Sequence, residues 1–329
     1  MTAKQLFYRH KLRQRILAKL RPLGRLPKLR IALSTDQLGS HDLRIIRQGE
    51  ALRLEVHPFA FKRPARAPMQ RYAATWVHWF LQAPSSVNSI VGEVSDGQFP
   101  TCADFSFSSF TDGIALVPDA HFFEERGYEA TRQFMASQNT AWHDRSDDLV
   151  WRGRLNNTGV ASDDPSALNA PWAQQRLRMV LACQDLDVDF KFVAGNPTEY
   201  EPWLHARGYI ADPIAQNSWA QRKFAIVIDG FSNAWSAYFK AMLMGCCVLR
   251  VDSPHGYKQW YYDQLRPYEH YVPIRADLSD LDTQINWIRQ NDDQARAIAA
   301  AGQRVVNAMT WDSECKRVGH IIAAKAGAA

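Results

Sequence analysis

Hydrophobic positions recur every fourth residue near the start of the chain. Tyr8, Leu12, Ile16 and Leu20 form a stripe, with Phe7 and Leu17 beside it and cations elsewhere. That spacing predicts an amphipathic helix over 3–20, stopped by Pro22 and Gly24. Short apolar runs at 29–33, 52–56, 75–80, 89–94 and 114–117 read as strands, and 122–142 reads as a helix. The second half alternates more regularly. Strands are expected at 149–152, 190–194, 224–229, 246–251 and 270–274. Helices are expected at 167–183, 233–244, 278–290, 293–309 and 312–325. Strands alternating with helices imply an α/β fold with parallel strands and covered faces.

Length permits two domains of ordinary size. The polar run at 143–148 suggests a boundary between an N-terminal domain over 31–145 and a C-terminal domain over 146–310. A basic segment over 1–30 would precede them and a helix over 311–329 would follow. Hydrophobic residues make up 46% and charged residues 22%, which suits a globular protein. No apolar run approaches the roughly 18–20 residues that cross a bilayer, and the N-terminus lacks a secretory apolar stretch. Five cysteines without a CxxC or a zinc-finger spacing point to buried thiols in a reducing, cytoplasmic setting.

Net charge is +5, unevenly distributed. The first 35 residues hold ten Lys/Arg and no acid, while the other 294 hold 29 Lys/Arg against 34 Asp/Glu. A mildly acidic body argues against a nucleic-acid-binding face. The basic helix fits the anionic surface of a membrane, which it would touch through residues 3–30. The plainer alternative is a helix packed on the N-terminal domain through the same stripe.

Three local patterns carry chemistry. Asp229-Gly230-Phe231-Ser232-Asn233-Ala234-Trp235-Ser236 follows an apolar strand and opens a helix. Free backbone N–H groups and the positive helix end suit a diphosphate there, although a capped βα turn reads the same way. Trp151-Arg152-Gly153-Arg154 places two guanidinium forks around a glycine at a strand end, as a phosphate clamp or as surface arginines. Gly92-Glu93-Val94-Ser95-Asp96-Gly97 puts a carboxylate after a strand, as a general base or as an Asp-Gly turn. Asp187-Val188-Asp189 matches a metal-holding DxD, but it stands at the amino end of its strand and reads as a solvated loop. No GxGxxG follows a strand, and no GxxxxGK[ST] or HExxH occurs.

Over 224–303 the chain resembles glycosyltransferase family 90. The resemblance rests on Phe224-Ala225-Ile226-Val227-Ile228-Asp229-Gly230, Gln259-Trp260-Tyr261-Tyr262 and Leu265-Arg266-Pro267-Tyr268-Glu269-His270-Tyr271-Val272-Pro273-Ile274. Asp277-Leu278-Ser279-Asp280-Leu281 and Asn291-Asp292-Asp293-Gln294-Ala295 continue it. Trp151-Arg152-Gly153, Phe105-Ser106-Phe107-Ser108 and Asp112-Gly113-Ile114 extend it to about 90–310. The resemblance implies a GT-B-like fold: two facing Rossmann-like domains with parallel sheets and an interdomain cleft, the first for the acceptor and the second for the nucleotide sugar. It also implies inverting, metal-independent transfer from a UDP-sugar, glucose or xylose, to a glycan or glycolipid such as lipopolysaccharide. The UDP-sugar is a co-substrate, and no metal or other cofactor is expected.

By position in the family, Asp96 would be the catalytic base. Ser146, Arg152, Gly153, Arg154 and Gly230, Phe231, Ser232, Asn233, Ala234, Trp235 and Ser236 would bind the donor. Phe110, Thr111, Asp112, Gly113 and Ile114 would line the sugar or acceptor site. Relatives carry a phosphate-gripping arginine early in the 233–244 helix where Ser236 or Ala237 stands here, so Lys240 is the candidate substitute. Gln259 stands where many relatives have Glu. The expected location is cytoplasmic, peripheral on the inner membrane face. The alternative is a non-catalytic sugar-nucleotide-binding or membrane-scaffold protein of the same fold.

Overall fold

The stripe at the start of the chain is buried by its own neighbours. In the computed structural model, which describes residues 3–24, 26–62, 65–155, 175–196 and 201–327, helix α1 covers Ala3–Leu20. Leu12, Ile16 and Leu20 are fully buried, and the Tyr8 ring stacks on Phe61. Two compact units divide the chain: Met1–Glu124 with Thr310–Ala329 (unit 1), and Glu125–Met309 (unit 2). The break lies at 124/125 rather than near 145, and the C-terminal helix belongs to unit 1 rather than standing apart.

Unit 1 holds a six-stranded sheet of β1 (Lys28–Leu33), β2 (Asp42–Gln48), β3 (Ala51–Val56), β4 (Ser89–Glu93), β5 (Phe105–Ser106) and β6 (Ala115–Leu116), in the order β1-β3-β2-β4-β5-β6. β1 pairs parallel with β3, and β4, β5 and β6 are mutually parallel. β2 runs antiparallel to both β3 and β4, so the sheet is mixed. β2 escapes the sequence pattern because its alternation is short: Leu43, Arg44 and Ile45 alternate, but Ile46 and Arg47 then put an apolar residue on the face of Arg44 and a cation on the face of Leu43 and Ile45. Arg44 is held by Glu55 across the pair at 3.1 Å.

Residues 75–80, expected as a strand, are the end of helix α2 (Arg66–Phe80). Thr75-Trp76-Val77-His78-Trp79-Phe80 is buried on every side, so it has no polar face to reveal a helical period, and its aromatic and β-branched side chains mimic a strand. The Trp76 and Trp79 indoles donate to the carbonyls of Glu93 (2.7 Å) and Pro118 (2.8 Å). Gly92 lets Trp76 lie flat on β4, since a Cβ there would sit 2.6 Å from the ring.

The expected helix over 122–142 is broken into α3 (Ala120–Glu124) and α4 (Glu129–Ala136). Arg126, Gly127 and Tyr128 between them all have positive φ.

Unit 2 holds parallel strands throughout its described sheets: β7 (Val150–Gly153) with β8 (Asp189–Phe192), and β9 (Phe224–Val227), β10 (Cys247–Val251) and β11 (Val272–Ile274) in the order β11-β10-β9. A parallel bridge between Ser146 and Arg222 links the segments leading into β7 and β9. Its described α-helices are α4, α5 (Gln175–Ala182), α6 (Glu201–Ala206), α7 (Ser236–Leu243), α8 (Leu281–Gln290) and α9 (Asp292–Ala308). Of the helix expected at 167–183, residues 167–174 lie outside the described residues. α10 (Trp311–Gly327) packs on α2 and β4 within unit 1. The class is therefore α/β, with parallel strands in both units.

Candidate functional site

The strongest features of unit 2 lie where its strands end. After β9 the chain turns through Gly230–Trp235 into α7. The Gly230 N–H bonds to the Asn233 carbonyl (3.1 Å), and the Trp235 N–H to Asn233 Oδ1 (2.7 Å). Trp235 has φ 49° and ψ −131°, a strained backbone for a residue with a side chain. Ser232 and Asn233 are buried, yet Ser232 Oγ and Asn233 Nδ2 have no hydrogen-bond partner. Ser236 and Ala234 are half-buried at the opening of the helix.

A buried arginine, Arg250, and a half-buried one, Arg176, brace this end of the sheet, and the sequence pattern marks neither. Arg250 donates to Asp229 Oδ1 at 2.7 Å. Arg176 donates to the carbonyls of Arg154 (2.6 Å) and Asp229 (3.0 Å), joining the ends of β7 and β9, and its guanidinium lies over the Trp151 ring. Burial draws Arg176 down to about 10, against the opposing pull of Asp229. Burial also pushes Asp229 upward, opposed by Arg250 and Arg176. Only a long-range contact could have marked these residues.

The other expected donor residues are placed differently. Arg152 donates to Asp189 Oδ2 (2.5 Å) and to the carbonyls of Asp189, Trp151 and Asp212, so its fork is held by protein. Gly153 lies against the Trp151 indole, where a Cβ would sit 2.4 Å from the ring. Arg154 is exposed, with its guanidinium against Gly195. Ser146 precedes β7 and pairs with Arg222 before β9, so it stands at the amino ends of these strands, opposite the 230–236 turn. Its hydroxyl accepts from the Asp148 N–H. Lys240 has its ammonium buried against Glu125 Oε2 (2.6 Å) and Gln216 (3.3 Å). Arg152 and Lys240 nevertheless line one cavity of about 310 Å³ with Trp219, Ala225 and Ala237. The two carboxylates of the DxD pattern are bound by separate arginines, Asp187 by Arg289 and Asp189 by Arg152.

In unit 1, Asp96 follows β4 and accepts from the Tyr72 hydroxyl at 3.2 Å. Burial raises its pKa, while that hydrogen bond and the nearby Arg71 charge pull it down. Glu93, three residues earlier, is fully buried and accepts from Ser95 and from Ser106 Oγ (2.7 Å). Burial holds its carboxyl at about 7. Phe110 is 57% exposed, and Thr111, Asp112 and Gly113 are also open to solvent. Ile114 is half-buried, and the Gly113 carbonyl accepts from Lys325 (2.7 Å). Tyr72 went unseen because its helix was read partly as a strand.

The model of Glycosyl transferase family 90 matches residues 125–319. Uncharacterized protein 035R of Invertebrate iridescent virus 3 is 32% identical over 214 residues, covering 62% of this chain and 18% of that protein. Protein O-glucosyltransferase 3 of Homo sapiens is 41% identical over 81 residues, covering 25% of this chain and 15% of its own length. The chain spans between 15% and 24% of the length of the first curated relatives it matches. HepE of Anabaena, solved with UDP-glucose, aligns with a TM-score of 0.37 at 14% identity, over 60% of this chain and 52% of HepE, a likeness too slight to carry an argument. The family match defines the class as that of the glycosyltransferases. With more than half of its residues matched, the chain belongs to glycosyl transferase family 90.

Proposed function

We propose that this chain is an inverting, metal-independent glycosyltransferase. It moves a sugar, glucose or xylose, from a UDP-sugar to a hydroxyl of a cell-surface glycan such as lipopolysaccharide. The observation that carries the reading is the turn after β9. A buried polar atom without a partner is destabilising by roughly 1–3 kcal/mol, and Ser232 Oγ and Asn233 Nδ2 are two such atoms beside the amino end of α7. Diphosphate oxygens would accept from both, and the helix end favours their charge. Asp96 is the base. It takes the proton of the acceptor hydroxyl as that oxygen bonds to the anomeric carbon, and the bond to UDP breaks with its electron pair leaving on the diphosphate. The glucosyltransferase names among the relatives support glucose as the first donor to try.

One observation favours a second reading, a non-catalytic sugar-nucleotide-binding protein: Arg152 and Lys240 are already paired with carboxylates. UDP release separates the two. Full-length protein is incubated with UDP-glucose or UDP-xylose, with and without oligosaccharide or glycolipid acceptors, in chelator and in Mn²⁺. Acceptor-dependent UDP release in chelator supports the proposal. Release only with Mn²⁺ removes metal independence, and UDP binding without any release supports the second reading.

The membrane contact is narrower than the stripe suggested. Leu12, Ile16 and Leu20 are occupied within unit 1, and no described helix is long and apolar enough to cross a membrane. Leu6 and Phe7 remain exposed beside Lys4 and Lys11. We place any anionic-surface contact on the inner membrane face at this first turn and a half of α1.

A further inference from the structure

A second cavity in unit 2, about 280 Å³, is lined by Tyr238 from α7, Arg250 from β10, Asp252 and Ser253 after β10, and Tyr262 and Tyr271. Its size lies at the lower limit of small-molecule sites, room for one ring rather than a whole nucleotide sugar. The walls are aromatic. The Tyr238 ring stands 5.5 Å from Tyr262 and 6.1 Å from Tyr271, and the Arg250 guanidinium lies 5.6 Å from the rings of Tyr238 and Tyr262.

Charge narrows the ligand class. Arg250 is neutralised by Asp229 at 2.7 Å, and Lys258, which also lines the cavity, by Asp263 at 2.7 Å. Asp252 is exposed, leaving a carboxylate that repels anions and accepts from hydroxyls. The deciding atom is the Tyr238 hydroxyl, in a side chain only 2% exposed and without a hydrogen-bond partner. Buried hydroxyls are ordinarily hydrogen-bonded, and a polar group in the cavity that Tyr238 lines would supply the partner. Aromatic faces for C–H groups, with a carboxylate and hydroxyls around them, match a neutral sugar ring.

We propose that this cavity binds one neutral monosaccharide residue, with Tyr238 and Asp252 hydrogen-bonding its hydroxyls. Only the choice of carbohydrate rests on the sugar-transfer reading. The residue could come from the donor or from the acceptor, since both offer the same chemistry.

The test uses the full chain with methyl glucoside, methyl xyloside and, as a charged control, methyl glucuronide. Binding is followed by ligand-observed NMR and calorimetry, with UDP and UDP-glucose titrated separately. A neutral glycoside should bind, and Tyr238→Phe and Asp252→Asn should each weaken it by about fivefold to twentyfold, the loss of one hydrogen bond to the ligand. UDP affinity should be unchanged. A donor sugar is indicated if the glycoside competes with UDP-glucose and both variants weaken UDP-glucose but not UDP. An acceptor sugar is indicated if the glycoside binds with UDP-glucose present and the variants raise the acceptor KM. The proposal is overturned if neither glycoside nor UDP-glucose affinity responds to the variants, or if the glucuronide binds better than the neutral sugars. Glycoside binding without any UDP binding would sink the donor reading and leave this one standing. Should Tyr238→Phe fold poorly, Asp252→Asn at its exposed position decides the matter.

Discussion

Asp189 holds Arg152. The guanidinium donates to its carboxylate at 2.5 Å and to its carbonyl at 2.9 Å, pinning β7 to the first residue of β8. A diphosphate that used Arg152 would have to compete with this carboxylate. Asp189→Asn should therefore tighten UDP binding severalfold, and Arg152→Ala should weaken UDP and UDP-sugar alike. Calorimetry on both variants decides the role. Unchanged UDP affinity in Arg152→Ala, with lowered thermal stability, would make the arginine a strap between strands and nothing more.

Asp96→Asn should leave UDP affinity intact and lower turnover by about two to four orders of magnitude, the usual contribution of a general base. Tyr72 offers a finer test. Its hydroxyl bond favours the carboxylate form, so Tyr72→Phe should raise the pKa of Asp96. The acid limb of kcat/KM against pH should then move to higher pH. A limb that stays put in a folded Tyr72→Phe protein would mean that another group titrates, and Asp112 would be examined next.

Glu93 ties pH to stability in unit 1. Burial raises its carboxyl from 4.5 to about 7 in the folded chain, so the folded state holds the proton more tightly than the unfolded state does. Its contribution is fully present below about 4.5 and is lost as pH rises through about 7. Glu93→Gln should therefore gain stability relative to the parent across that window, on the order of 2–3 kcal/mol by its end. Denaturant unfolding of both proteins at several pH values measures the gap. A gap that does not widen with pH would show that Glu93 titrates normally.

Leu12 and Phe7 separate packing from surface contact on one helix. Leu12→Ala should destabilise the protein by about 2–5 kcal/mol, because it empties a buried site. Phe7→Asp should fold normally and release the chain from anionic vesicles, while neutral vesicles capture neither protein. Equal sedimentation of Phe7→Asp and parent with anionic vesicles would move the contact away from this turn.

Much of unit 2 was legible because parallel strands and amphipathic helices each declare themselves locally. The 224–229, 246–251 and 270–274 runs contain β9, β10 and β11. Unit 1 was less so. β2 loses its alternation at Ile46 and Arg47, and α2 lacks a polar face in its second half. In the site, the turn at 230–236 was readable from glycine and polar residues after an apolar run. What was unreadable were partners far along the chain: Asp189 for Arg152, Glu125 for Lys240, Tyr72 for Asp96. Each arises from tertiary packing that no local pattern encodes.

Helix α10 lies against α2 and β4 although all of unit 2 intervenes in the chain. During synthesis, residues 125–309 therefore emerge before unit 1 has the helix that covers α2. His78, which stacks on Trp311 at 4.8 Å, waits for that ring until residue 311 has cleared the ribosome. Folding on the ribosome would run against the order of the sequence: the second unit closes first as a continuous stretch, and the first, begun earlier, is completed last. A chain truncated after Met309 would keep every residue of the second unit and leave α2 without the helix that covers it.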